Sequence, residues 1–230
     1  MEEKFMPILN QGFDYNVDVV MCIDATGSMS PILEQVKENA LSFHQKFIEL
    51  MENAGKDVQQ LRIKVIAFRD YRVDSEPMVE SEFFKLDEDS DKFHEFVSNI
   101  EADGGGDEPE SALEALALAM KSDWVRTGAV RRHVIIMFTD ASALPLGQVT
   151  DQISYPSDMP KDIVELNAMW EDGQHMENRA KRLLLFAPDA DPWSNMAVEW
   201  TSTFHTASKA GSGCDETDMD TCISFLVASI

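Results

Sequence analysis

Asp24, Thr26 and Ser28 alternate through the stretch Asp24-Ala25-Thr26-Gly27-Ser28, which directly follows an apolar run. A tight turn containing glycine can aim three such oxygen donors at one point, and hard cations such as Mg2+ or Ca2+ prefer oxygen ligands. A plainer reading is also open, because an Asp, Ser or Thr ahead of a helix caps free backbone N–H groups. Two further acids close apolar runs in the same manner, Asp70 in Phe68-Arg69-Asp70 and Asp140 in Thr139-Asp140. Taken alone, Asp140 fits a metal ligand and a cap equally well. A fourth polar turn, Asp103-Gly104-Gly105-Gly106-Asp107-Glu108-Pro109, leads into an Ala- and Leu-rich helical pattern.

These side chains meet only if the runs before them lie side by side. Val17–Ile23, Ile63–Phe68, Val134–Phe138, Leu183–Ala187 and Phe204–Ala207 read as short buried strands, and helical patterns separate them. That rhythm predicts βα units and a mostly parallel sheet covered on both faces, with ligands gathered at the carboxyl ends of the strands. Leu33, Val36, Ala40, Phe43, Phe47 and Leu50 recur at steps of three and four, one face of a helix, with Ser30 as its cap and Pro31 at its first position. Further helices are predicted over Ser90–Ile100, Glu108–Lys121, Asp158–Glu171 and Met219–Ala228, and a short edge strand over Ser81–Leu86. Residues 141–160, with three prolines, read as an irregular loop on the top face, and residues 1–14 as an N-terminal extension. Nothing in the sequence splits the chain, so residues 1–230 are expected to form one domain.

The order of an apolar strand, D-x-[ST]-x-S, a long amphipathic helix, a glycine-rich loop and an apolar strand ending in T-D resembles the von Willebrand factor A family. The resemblance runs from Val17 to the C-terminal helix. It implies a three-layer α/β/α, doubly wound, Rossmann-like fold with six strands in the order 3-2-1-4-5-6 and strand 3 antiparallel at the edge. It also implies a metal-ion-dependent adhesion site. Asp24, Thr26 and Ser28 would form its first ligand loop, Asp107 would stand where the family usually has threonine, and Asp140 would supply the last acid. The implied ion is Mg2+, with Mn2+ or Ca2+ as substitutes, and the implied partner is a protein presenting an Asp or Glu carboxylate. Thr26 keeps the hydroxyl of the commoner serine. Asp107 brings a third carboxylate, which lowers the net positive charge at the ion and with it the pull on an acidic ligand. The Gly-Gly-Gly-Asp-Glu-Pro-Glu form is similar to the intracellular branch, including bacterial members from stress and tellurite-resistance gene clusters and eukaryotic kinase-attached members.

Two other readings stand beside this one. Asp24 after a strand also resembles the phosphoryl-accepting nucleophile of haloacid dehalogenase-like phosphatases. That family carries a second acid two residues later, where this chain has Thr26, and Lys161 is its only candidate phosphate-neutralising lysine. A metal-free von Willebrand A scaffold is the other. No Gly-x-x-x-x-Gly-Lys loop, Gly-x-Ser-x-Gly elbow or His-Glu-x-x-His helix occurs, so no enzymatic activity is expected.

With 19 Lys and Arg against 42 Asp and Glu, the net charge of -23 repels phosphate backbones and anionic membranes, so neither nucleic acid nor membrane is an expected partner. The opening residues lack the basic and apolar regions of a signal peptide, no stretch nears 18 apolar residues, and a cytoplasmic location is expected. Cys22, Cys214 and Cys222 are read as reduced thiols. The cluster Asp215, Glu216, Asp218 and Asp220 reads as favouring the N-terminus of the last helix. His44, His94, His133, His175 and His205 lack metal-ligand spacing, and Trp124, Trp170, Trp193 and Trp200 read as seals at core edges. Arg69, Asp70, Tyr71 and Arg72 suit either a partner contact or an ion-paired loop. Leu144, Pro145, Leu146, Tyr155 and Pro156 suit either partner selectivity or cover of the sheet edge.

Overall fold

The computed structural model describes residues 14–106, 108–149, 151, 154–208 and 219–229; Asp107, Cys214, Asp215, Glu216 and Asp218 lie outside them, as do residues 1–13. The central strand β1 (Asp14–Asp24) pairs in parallel with β2 (Asp57–Phe68) on one side and β5 (Val130–Phe138) on the other. Beyond β5 follow β6 (Lys181–Pro188) and β7 (Thr203–Ser208), also parallel. On the far side of β2 the antiparallel edge is split into β3 (Met78–Glu80) and β4 (Phe84–Lys85). The strand path β3-β2-β1-β5-β6-β7 is the expected doubly wound order, with the split edge making seven strands instead of six. The split falls at Ser81, whose hydroxyl accepts the Val65 N–H at 2.9 Å in place of a strand carbonyl.

Because successive strand residues face opposite sides, β1 feeds two cores. Val17, Val19, Met21 and Ile23 face one, with Val36, Phe43 and Phe47 of α1 (Leu33–Asn53) and Phe93 and Val97 of α2 (Ser90–Ser98). Val20 and Cys22 face the other, with Leu113 and Leu116 of α3 (Ala112–Met120) and Leu166 and Trp170 of α4 (Ile163–Glu171). The short α5 (Trp193–Glu199) joins this second layer, and α6 (Met219–Ser229) packs on α1 in the first. Helix α5 is absent from the sequence expectation, although the β6–β7 pairing demands it: parallel neighbours need a crossover.

Three expectations are corrected. Ser30 and Pro31 do not open α1: a 3-10 turn over Gly27–Met29 comes first, Ser30 closes that turn, and Leu33 is the first α-helical residue, with Ile32 before it making no side-chain cap. Helices α3 and α4 start later than their apolar patterns suggest. Glu110 is drawn into a bridge with Ala143, and Asp162 caps α4 by accepting the Glu165 N–H at 2.9 Å. Leu144 and Leu146 are buried beneath the 141–160 loop and present no exposed selectivity surface, while Pro145 is exposed and Tyr155 and Pro156 are half-buried. All four tryptophans are buried. Cys22 is a buried free thiol whose pKa burial pushes up. Among the described residues no helix is long and apolar enough to cross a membrane.

Candidate functional site

Register decides which loops meet. Asp24 stands opposite Phe68 of β2, and Ile23 opposite Phe138 of β5. The residues after these strands, Ala25 to Ser28, Arg69 to Asp74, and Thr139 to Ala143, therefore share one rim.

Asp24 is fully buried and held on both oxygens. Its Oδ1 accepts from the Thr26 amide at 3.0 Å and the Thr26 hydroxyl at 2.7 Å, and its Oδ2 accepts from the Thr139 hydroxyl at 2.7 Å. Ser28, exposed at the mouth, donates its hydroxyl to Asp140 Oδ1 at 3.1 Å. Thr26 Oγ1 and Ser28 Oγ lie 3.1 Å apart. Each hydroxyl can both donate and accept, and this contact is itself a hydrogen bond that either oxygen can donate. The other oxygen of Asp140, Oδ2, is buried without a hydrogen-bond partner among the described residues.

The glycine loop folds against this cluster. Gly27 donates its N–H to the Gly104 carbonyl at 3.1 Å, and Asp103 donates to the Ala25 carbonyl at 3.0 Å. Gly105, at φ +77°, sits so close that a Cβ there would lie 2.7 Å from Thr26 Cβ. Asp74 Oδ2 accepts from the Gly105 and Asp70 amides, both at 3.0 Å. Arg69 fastens the rim by donating to the carbonyls of Ala25, Asp103 and Glu101. Buried Asp70 accepts from Arg72, whose guanidinium also donates to the Pro109 carbonyl at 2.6 Å. The stretch from Arg69 to Arg72 is thus the ion-paired loop of the two sequence alternatives.

Burial dominates the electrostatics. It pushes Asp24 up to about 6 against the hydrogen bonds from Thr139 and Thr26, with the Asp140 charge adding to the rise. Asp140 is raised chiefly by burial, with the Ser28 hydrogen bond opposing. Glu110 is pushed up to about 8 by burial and then by the charges of Asp24 and Asp70.

Of the five residues singled out from sequence, the structure brings Asp24, Thr26, Ser28 and Asp140 into one hydrogen-bonded chain, and Asp107 lies outside the described residues. Among the described residues no group of three or more His, Cys, Asp or Glu side chains stands ready to hold a metal ion; the donor set is two carboxylates and two hydroxyls. All four are oxygen donors, as Mg2+ requires, and oxygens around an octahedral Mg2+ at about 2.1 Å are about 3.0 Å apart, close to the Thr26–Ser28 and Ser28–Asp140 spacings. The orphaned, buried Asp140 Oδ2 is what a cation would satisfy, so the residues fit the group. Sequence reasoning missed Asp74 and Glu110, since an Asp in a turn and a Glu before a helix carry no signal apart from their ordinary local roles.

A doubly wound sheet with an oxygen-lined rim at its central crossover defines the class. The von Willebrand factor A domain matches residues 18–203, and the chain belongs to that family of protein-interaction modules. It is 28% identical over 160 residues to the alpha-protein kinase vwkA of Dictyostelium discoideum, an alignment covering 66% of this chain and 24% of that protein. The pilus adhesin SpaC of Lactobacillus rhamnosus GG has a similar fold, with a TM-score of 0.58, 11% identity, and coverage of 94% of this chain and 31% of that one. So does the von Willebrand factor type A protein from Catenulispora acidiphila, with a TM-score of 0.52, 13% identity, and coverage of 94% and 42%. The chain spans about a quarter of the length of the kinase relative and less than half of these solved chains.

Proposed function

We propose that this domain binds a protein partner through a divalent cation, Mg2+ in the first place with Mn2+ or Ca2+ as substitutes, and does so without catalysis. The observation that carries this is the convergence of four oxygen donors, Asp24, Thr26, Ser28 and Asp140, at one rim, with Asp140 Oδ2 buried and without a hydrogen-bond partner among the described residues. Asp24, Thr26, Ser28 and Asp140 would hold the ion, joined by Asp107 as the family resemblance implies. When bound, the ion supplies a local positive charge and a coordination position for a carboxylate of the partner. In a chain of net charge -23, such a charge is what lets an acidic partner approach at all.

The residues do the rest. Thr139 and the Thr26 amide orient Asp24, Arg69 and Asp74 fix the surrounding loops, and Ser28 marks the solvent side. The likeness to a protein named as an alpha-protein kinase supports a setting in a signalling assembly.

Water-proton relaxation with Mn2+ tests the open position. The Mn2+-loaded protein is expected to enhance relaxation through exchanging water, and millimolar acetate to reduce that enhancement in a saturable way. Enhancement indifferent to acetate would contradict a carboxylate-accepting site. Release of nitrophenol from para-nitrophenyl phosphate with Mg2+ present, lost in Asp24→Asn, would move the reading to a phosphatase.

A further inference from the structure

Glu110 is a buried acid beside this site that the five-residue ligand pattern does not use and that, unlike Asp70 with Arg72, makes no ion pair among the described residues. Only 3% of it is exposed, and its Oε2 has no hydrogen-bond partner among the described residues. A buried carboxyl oxygen without a hydrogen bond costs free energy that a cation nearby would offset. Its main chain is fixed from both directions: Glu110 donates its N–H to the Ser142 carbonyl at 3.1 Å, and its own carbonyl accepts from Leu144 at 2.7 Å. This bridge ties the segment after the glycine loop to the segment after Asp140. Its side chain turns toward the glycine loop, where Oε1 lies 3.3 Å from the place of a Cβ on Gly105, the residue packed directly on Thr26.

Two orphaned buried carboxyl oxygens therefore stand on the two loops that this bridge joins, Oδ2 of Asp140 and Oε2 of Glu110. The charge nearest in influence to Glu110 is that of Asp24. The Arg72 charge opposes this, with its guanidinium hydrogen-bonded to Asp70 and Pro109. A cation at the Asp24–Asp140 rim would answer both oxygens.

We infer that Glu110 is a further carboxylate of the metal site, lending its negative charge and its free oxygen to the holding of the ion. This rests on the metal reading above and assigns a residue outside the five that the resemblance supplies. It also sets the site's preference: added carboxylate favours tight retention of a hard dication at the expense of its pull on an acidic partner.

The test is calorimetric titration of the metal-stripped full chain with Mn2+, in wild type, Glu110→Gln, Glu114→Gln and Asp24→Ala, with the thermal melt of each metal-free protein alongside. Glu114 is a second buried acid with an orphaned Oε2, but its Oε1 accepts from Tyr155 at 3.1 Å on the α3 and 141–160 loop side. The expected result is a Kd about tenfold or more weaker in Glu110→Gln, the usual scale for groups supporting a metal site. Its metal-free melting temperature should be no lower than that of wild type, and Glu114→Gln should bind normally. A Kd within twofold of wild type in folded Glu110→Gln, with binding abolished in Asp24→Ala, overturns this inference and leaves the metal reading standing. Unchanged binding in Asp24→Ala overturns both. Equal weakening in Glu110→Gln and Glu114→Gln assigns the effect to general charge and also overturns the inference.

Discussion

Thr139 donates its hydroxyl proton to Asp24 Oδ2 at 2.7 Å, joining the ends of two parallel neighbours across 115 residues of chain. The bond fixes the carboxylate whose other oxygen is held by Thr26. Replacing Thr139 by Val leaves a buried oxygen unsatisfied, and such a loss costs about 1–3 kcal/mol. Thr139→Val should therefore lower stability in urea by that amount and weaken metal binding, while Thr139→Ser should retain both. Equal metal affinity in Thr139→Val would show that the bond does not orient the site.

Gly105 is the tightest point of the loop that covers Thr26. Its φ of +77° and the 2.7 Å approach to Thr26 Cβ leave no room for a side chain. Gly105→Ala should destabilise by about 1–3 kcal/mol, the scale of stored backbone strain, and reduce metal affinity as the loop shifts. Gly55, with φ +70° and nothing within 4 Å of an added Cβ, is the control. Its Ala variant should lose stability alone.

Asp18 and Asp24 are both buried acids on β1, yet they differ in kind. Asp18 is paired with Arg62 at 2.8 and 2.6 Å and accepts the Val125 amide at 2.6 Å. Asp18→Ala should cost about 3–5 kcal/mol, as expected when one partner of a buried pair is removed. Metal affinity at temperatures where it remains folded should equal that of wild type, and a weakened Kd would mean that the strand's two ends are coupled.

Glu114 sets a pH dependence. Burial holds its carboxyl at about 7, with the Asp70 charge adding to the rise and the Tyr155 hydroxyl opposing it. A folded pKa above the unfolded 4.5 means that the native state keeps a proton that the unfolded chain has already released. Its contribution to stability is thus full below about 4.5 and lost as pH rises to about 7, by up to about 3 kcal/mol. Urea midpoints at pH 5 and 7.5 should differ less in Glu114→Gln than in wild type.

The sheet was legible because Val17–Ile23, Ile63–Phe68 and Val134–Phe138 are apolar apart from Asp18 and Lys64, close to the continuous runs of strands covered on both faces. The D-x-T-x-S spacing pointed to three oxygen donors in one turn, with capping open beside it, and the structure joins Asp24, Thr26 and Ser28 by hydrogen bonds. Helix α5 was not, since seven residues carry too little periodicity and its existence follows only from β6 and β7 being parallel. Leu144 and Leu146 look the same in sequence whether they face a partner or the core, and the burial of both, Leu146 within the second core layer, decides it. Glu110 was hidden for the opposite reason: a Glu ahead of an Ala-rich helix ordinarily complements the helix dipole in solvent, and only the bridge to Ala143 buries it.

The most direct test of the central claim is calorimetric titration of the metal-stripped protein with Mg2+, wild type beside Asp24→Ala. The account predicts saturable binding to one site in wild type and none in a folded Asp24→Ala protein. Absent binding in wild type would contradict it and leave a metal-free scaffold, and equal binding in both would contradict it and leave diffuse cation uptake by the acidic surface.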